Sequence, residues 1–200
     1  MKFNTTKEIL LKTAQTVQNA INVKTNLPIL SNILIDAEED NLIFTATYLD
    51  IGIIVEVPVK PAIKGSITIP AKKFLDILKE LPNEEVSVSV KKNNIVNIDC
   101  KKTSLKLMGL SKEEFPQLPQ FKNKEFILIP QRKLKSMLAM TSFAISSDET
   151  RYVLNGVLFI IQPSFLRLVA TDGRRLAVSE IQTQFPKTSE ARFIVPAKTI

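Results

Sequence analysis

With 200 residues, 44% of them apolar and 24% charged, the chain has the composition of a folded globular protein, long enough for one large domain or two small ones. A single cysteine, Cys100, and the lack of any histidine exclude an internal disulfide and the usual Ser-His and Cys-His triads, and leave a zinc site to carboxylates alone. The 27 lysines and arginines outnumber the 20 acids, and the resulting charge of +7 favours a polyanionic partner.

No apolar run approaches the ~20 residues of a membrane span, and no apolar signal core follows Met1-Lys-Phe-Asn-Thr-Thr6, so a cytoplasmic protein is expected. Thr5-x-x-Glu8 has the form of a capping box. Leu10, Ala14, Val17 and Ile21 then share one helical face, which predicts a helix over roughly 6–20. Asn32 to Asp36, Leu42 to Thr47 and Ile51 to Val57 read as strands, the first two parted by the acidic turn Glu38-Glu39-Asp40. After Pro70, Phe74, Ile77, Leu78 and Leu81 recur at helical spacing until Pro82. Val86 to Val90 alternates, Lys91 to Asn94 turns, and Ile95 to Asp99 and Ser104 to Met108 return as strands, with Cys100 a strand residue of no expected reactivity. The proline-containing polar stretch Phe115 to Lys124 reads as a linker, with a boundary near 115–125.

From there the order of elements restarts. A strand is expected near 125–129, a helix after Pro130 on Leu134, Met137 and Leu138, and strands over Gly156 to Ile161, Leu166 to Ala170 and Leu176 to Ile181. Phe3 matches Phe126, Ala20-Ile21 matches Ala144-Ile145, Asn32 matches Asn155, Ala46-Thr47 matches Ala170-Thr171, and Pro70-Ala-Lys72 matches Pro196-Ala-Lys198. Five matches in one order at nearly constant spacing indicate a duplicated domain. The second copy stops soon after Pro196-Ala-Lys198, and the chain is expected to be a fragment cut inside that domain.

The polar face of the first helix carries Lys12, Gln15, Thr16 and Asn19; the second presents Lys72 and Lys79, tempered by Asp76; the third carries Arg132, Lys133 and Lys135 with no acid over 130–142. Lysines on outward faces equally serve solubility, but duplicated helices of one sign point to a shared surface for phosphate. Neither a helix-turn-helix signature nor an aromatic stacking pattern is present, so binding would be independent of base sequence and sensitive to salt.

Leu27-Pro-Ile-Leu-Ser-Asn-Ile-Leu34, Ile69-Pro-Ala-Lys-Lys-Phe74, Phe115-Pro-Gln-Leu118, Arg151-Tyr-Val-Leu-Asn-Gly-Val-Leu-Phe159 and Leu168-Val-Ala-Thr-Asp-Gly-Arg-Arg-Leu-Ala-Val178 together resemble the bacterial DNA polymerase III beta subunit, the sliding clamp, across the whole chain. The resemblance implies an α+β fold of tandem clamp-type domains, with helices lining an inner face and antiparallel sheets outside. It implies a complete first clamp domain at 1–120, a truncated second at 121–200 and an absent third. The expected function is that of a processivity factor without catalytic residues: a head-to-tail homodimeric ring, associated with the nucleoid, around double-stranded DNA. Replicative polymerase, clamp loader and repair proteins would bind it through linear peptide motifs. No cofactor or metal is expected.

By position, the resemblance brings Lys24 and the loop from Ser146 to Arg151, with Asp148 and Arg151, toward DNA, beside Lys12, Lys72, Arg132, Lys135 and Lys198. It maps a peptide pocket onto Leu154, Thr171, Gly173, Arg174, Arg175 and Leu176, although Asp172-Gly173 taken alone reads as a tight turn. The dimer surface would use Lys73, Ile77, Leu105 and Leu107, where alternation equally predicts an ordinary core strand. Tyr48 departs from the family, which commonly has an aspartate there. A nucleic-acid enzyme would rest on Asp50, Asp172 and Glu180, which form no paired-acid motif. A third reading is a peptide-binding module with incidental basicity.

Overall fold

The computed structural model describes residues 1–21, 27–48, 51–91, 93–118, 126–148, 150–186 and 190–200, and the chain divides into two units, Met1–Gln120 and Phe121–Ile200. The fold is α+β. The first unit runs β1 (Lys2–Thr6), α1 (Lys7–Gln18), β2 (Asn32–Ala37), β3 (Leu42–Tyr48), β4 (Ile51–Val57), β5 (Gly65–Pro70), α2 (Ala71–Glu80), β6 (Glu85–Val90), β7 (Ile95–Cys100) and β8 (Thr103–Met108). Its strands form two antiparallel sheets, β1-β6-β7-β8 and β4-β3-β2-β5. One core lies between sheets and helices: Phe3, Phe44 and Phe74 are fully buried with Leu10, Leu78 and Ile98. Apolar side chains of two strand faces and two helix stripes leave water there together.

α1 begins one residue later than the capping box suggests. Thr6, not Thr5, is the N-cap, its Oγ1 accepting from the Ile9 amide at 3.3 Å. Thr5 belongs to β1, opposite Val86, and its side chain alternates inward. The helix ends at Gln18, short of Ile21. β1 and β5 are strands that periodicity did not reveal. Five or six residues seldom declare a period, and β5 is bounded by Gly65 and Pro70, which read locally as breakers.

The second unit holds α3 (Gln131–Ala139), β9 (Gly156–Gln162), β10 (Phe165–Thr171), β11 (Leu176–Gln182) and β12 (Ala191–Pro196), with β12 likewise unforeseen. α3 is shorter than 130–142 because Thr141 Oγ1 bonds back to the Met137 carbonyl at 2.9 Å and a one-turn 3-10 segment, Ser142–Ala144, takes over. The sheet order β11-β10-β9-β12 repeats β4-β3-β2-β5 strand for strand, with Ile160 between Arg167 and Arg192 as Asp36 lies between Ile43 and Ser66. Met137, Val157, Phe159, Leu166 and Leu168 form its core.

The strand expected near 125–129 does not form among the described residues 126–129. In the first unit Phe3 is buried because β1 pairs with β6, Phe3 opposite Val88. Among the described residues no counterpart of β6 pairs with this segment, and Phe126 and Leu128 stand 79% and 81% exposed. An extended segment without a hydrogen-bonding neighbour gains nothing from strand geometry.

The sheet of β2 is covered on both sides. Ile33, Ile35 and Ala37 enter the core, yet Asn32, Leu34 and Asp36 on the opposite face are buried too. Their cover is the segment after β8. Leu110 pairs with Thr68 on the edge of β5, Lys112 Nζ meets Asp36 Oδ1 at 2.7 Å, and Leu118 lies so near Gly52 that a Cβ there would sit 3.0 Å from its Cδ2. Residues 110–118 thus form a strap across the sheet from β5 to β4.

Candidate functional site

The helices sort their side chains as the sequence pattern requires. α1 buries Leu10, Thr13, Ala14 and Val17 and leaves Lys12 exposed; α2 buries Ala71, Phe74, Leu75 and Leu78 and exposes Lys72 and Lys73. α3 buries Met137 and exposes Arg132, Lys133 and Lys135. Among the described residues none of these six cations has a carboxylate partner, so their charge is available to an external anion. Lys198 is exposed on the one-turn segment Ala197–Thr199 that follows β12, at the place α2 takes after β5. Lys24 and Asp50 lie outside the described residues.

The loop after α3 is differently built. Asp148 accepts from the Thr150 amide at 3.0 Å, from Thr150 Oγ1 at 2.6 Å and from Arg151 Nε at 2.9 Å. These bonds, those of Thr150 first, hold its carboxyl below the ordinary aspartate range. Asp148 thereby fixes the Arg151 side chain beside it. The Ser146 amide donates to the Leu154 carbonyl at 3.0 Å and closes the loop.

The turn joining β10 to β11 is organised by Asp172. Its Oδ1 accepts from the amides of Arg174 and Arg175 at 2.9 and 3.0 Å, and its Oδ2 from Arg175 Nε at 3.0 Å. The two backbone bonds and then the arginine lower its pKa to about 2. Gly173 adopts φ +88°, the left-handed region, and its amide donates to Thr171 Oγ1 at 3.1 Å, which donates in turn to the Arg175 carbonyl at 2.7 Å. A Cβ on Gly173 would lie 3.6 Å from Arg151 Nη1, so the turn and the 146–154 loop share one locality.

Thr171, Gly173, Arg174, Arg175 and Leu176 therefore come together, and Leu154 closes the neighbouring loop. Leu176 is 66% exposed at the head of β11, an apolar side chain offered to solvent. Sequence reasoning missed Phe143, whose ring lies beneath the Arg175 guanidinium at 5.7 Å from its centroid. Its only signal was an aromatic just after a polar helix end. Glu180 is paired with Arg167, Nε to Oε2 at 2.6 Å, and Asp172 is bound within its own turn, so the two acids have separate partners. The described residues contain no cluster of acids or cysteine able to hold a metal, and no described helix is long and apolar enough to cross a membrane.

Of the four residues expected at a dimer surface, Lys73 is exposed and Ile77 and Leu105 are half-buried. Leu107 belongs to the core at 8% exposure, since on β8 it alternates inward. β8 is an edge strand of its sheet.

The profile of the DNA polymerase III beta subunit N-terminal domain matches residues 1–119, and that of the central domain matches residues 128–200. The chain is 34% identical over 200 residues to the beta sliding clamp of Chlamydia pneumoniae, covering all of this chain and 55% of that protein. The crystal structure of the DNA polymerase sliding clamp from Bacillus subtilis superposes with a TM-score of 0.92 at 34% identity, covering 100% of this chain and 55% of that one. A Pseudomonas aeruginosa sliding clamp bound to griselimycin gives a TM-score of 0.89 at 34% identity, covering 99% and 54%. The chain thus spans about half the length of the relatives it matches.

Proposed function

The chain belongs to the DNA polymerase III beta subunit family, and from that membership we propose that it is part of a sliding clamp, a ring that encircles double-stranded DNA and tethers the replicative polymerase. The observation that carries this reading is the acid-free basic face of α3, together with Lys12 on α1 and Lys72 and Lys73 on α2, which have no carboxylate partner among the described residues. Lys12, Lys24, Lys72, Arg132, Lys135, Arg151 and Lys198, with Asp148 in the Arg151 loop, would form the DNA contacts without reading bases. Weak, non-directional attraction suits a ring that must slide, because retention comes from topology and not from tight contact.

In this reading residues 1–120 form a first clamp domain and 121–200 part of a second, in a longer protein that carries a third. Two such chains close head to tail through the β8 edge, with Lys73, Ile77 and Leu105 at the contact and Leu107 beneath them. Leu154, Thr171, Gly173, Arg174, Arg175 and Leu176 receive linear motifs of polymerase, clamp loader and repair proteins. Tethering then makes polymerase rebinding intramolecular, at high effective concentration. The protein does no chemistry itself and works in the cytoplasm, on the nucleoid.

The test is retention of the full-length protein, after loading, on closed circular DNA and its release when the circle is cut once. Equal loss from circles and linear DNA overturns the reading, as does turnover of DNA by the purified protein.

A further inference from the structure

The two copies of the repeat build one turn with different side chains. In the first unit Thr47 Oγ1 donates to the Ile51 carbonyl at 2.9 Å, and in the second Thr171 Oγ1 donates to the Arg175 carbonyl at 2.7 Å. Thr47 stands opposite Gly52 in its sheet as Thr171 stands opposite Leu176. The threonine-to-carbonyl bond is the scaffold common to both. Three side chains are added in the second copy alone. Asp172 Oδ2 accepts from Arg175 Nε at 3.0 Å, and the Phe143 ring centroid lies 5.7 Å from Arg175 Cζ. At the spacing of the repeat the first unit has Tyr48 in place of Asp172, Ile51 in place of Arg175 and Asn19 in place of Phe143. Leu154 and Leu176, the apolar members of the peptide site, are likewise matched by Ser31 and Gly52. The stack of carboxylate, guanidinium and ring thus occurs in the copy that carries those leucines, and the other copy makes the same threonine bond without it.

Phe143 is placed by anchored neighbours. Thr141 and Ala144 are fully buried, and the Ala144 amide donates to the Thr141 carbonyl at 3.0 Å. The one-turn segment Ser142–Ala144 is thereby pinned to the core and carries the ring to the guanidinium. A carboxylate on the Nε edge and a ring against one face fix the direction in which Arg175 presents its terminal nitrogens. An arginine left to its rotamers surrenders that freedom when a ligand binds, whereas one held by the fold has surrendered it already.

We propose that Phe143 is a positioning residue of the peptide site: its ring holds the Arg175 guanidinium, already bonded to Asp172, in the direction in which an oxygen of the docked peptide meets it. The inference rests on the reading of Leu154, Thr171 and residues 173–176 as that site. It adds a residue that acts through Arg175 and does not itself touch the peptide.

The test uses the full-length protein, immobilised, with the replicative polymerase of the same cell as the probe in surface plasmon resonance. Phe143→Leu keeps apolar bulk and removes the ring face. Its Kd should rise about two- to fivefold, and Phe143→Tyr should keep the parent value. In an Arg175→Ala background the same Phe143→Leu change should cost nothing further. An unchanged Kd for Phe143→Leu overturns the proposal. So does an equal loss in both backgrounds, because the ring then supports the fold or meets the peptide directly. Leu176→Asp separates this inference from the reading beneath it. Polymerase binding that Leu176→Asp abolishes and Phe143→Leu leaves unchanged keeps the site and removes only the role of Phe143. Binding that is absent from the parent protein, or that survives Leu176→Asp, removes the site and this inference with it.

Discussion

Lys7 Nζ donates to the carbonyl oxygen of Lys79 at 3.0 Å and to that of Leu81, so the first residue of α1 closes the last turn of α2. The final carbonyls of a helix have no partner within it, and a cation there meets both the open acceptors and the negative end of the helix dipole. The two helices that carry Lys12 and Lys72 are thereby fastened end to start.

Replacing Lys7 by methionine keeps the aliphatic stem and removes the donor. The expected cost is about 1 kcal/mol of stability, read from the urea midpoint, with Lys7→Arg recovering much of it. A methionine variant as stable as the parent would show that water serves these carbonyls equally well.

Asp36 offers a second stability test. It is largely buried and accepts from Ser66 Oγ at 2.5 Å and Lys112 Nζ at 2.7 Å. Lys112 itself is half exposed, so Lys112→Ala should cost only about 1 kcal/mol. Hydrogen exchange should rise at the Leu110 and Thr68 amides, which the strap protects.

The β10–β11 turn should be resistant to acid. Because the folded pKa of Asp172 is lowered to about 2 from an ordinary 3.8, its contribution is fully present above pH 3.8 and is lost as pH falls from there through about 2. A side-chain carboxyl titration by NMR should place the Asp172 midpoint near that lower value, and Asp172→Asn should remove the acid dependence of the Arg174 and Arg175 amide shifts. A midpoint at an ordinary aspartate value would mean that the backbone bonds are not held in solution.

Gly173→Ala places a side chain at φ +88°, where the space is open apart from Arg151, so the penalty is one of backbone strain. About 1–2 kcal/mol is expected, together with loss of the Thr171 to Gly173 hydrogen bond in the NMR spectrum.

On duplex DNA at low salt, Arg132→Glu with Lys135→Glu should weaken association equally for unrelated sequences. The slope of log K against log salt should shrink by about 0.9 for each phosphate contact removed. A sequence-dependent loss would mean that α3 reads bases.

The sequence alone settled whatever is written in a local period. Phe74 and Leu78 announce α2, Val86 and Val88 announce β6, and the paired recurrence of Ala46-Thr47 and Ala170-Thr171 announces a duplicated sheet before any coordinate is seen. The basic helix faces were legible in the same way, since a helical projection needs only neighbours three and four apart. What lay beyond reach depends on partners far along the chain. Thr5 could not be told from Thr6 as a cap until β1 met β6, and Leu107 could not be assigned to the core until β8 met β7. Lys7 finds Lys79 across 72 residues and Lys112 finds Asp36 across 76. Arg175 over Phe143 and Asp172 as keystone of its turn are likewise visible only in three dimensions. Tertiary structure decided these because burial and charge pairing depend on which surfaces the folded chain brings face to face, and no spacing along the sequence encodes that distance.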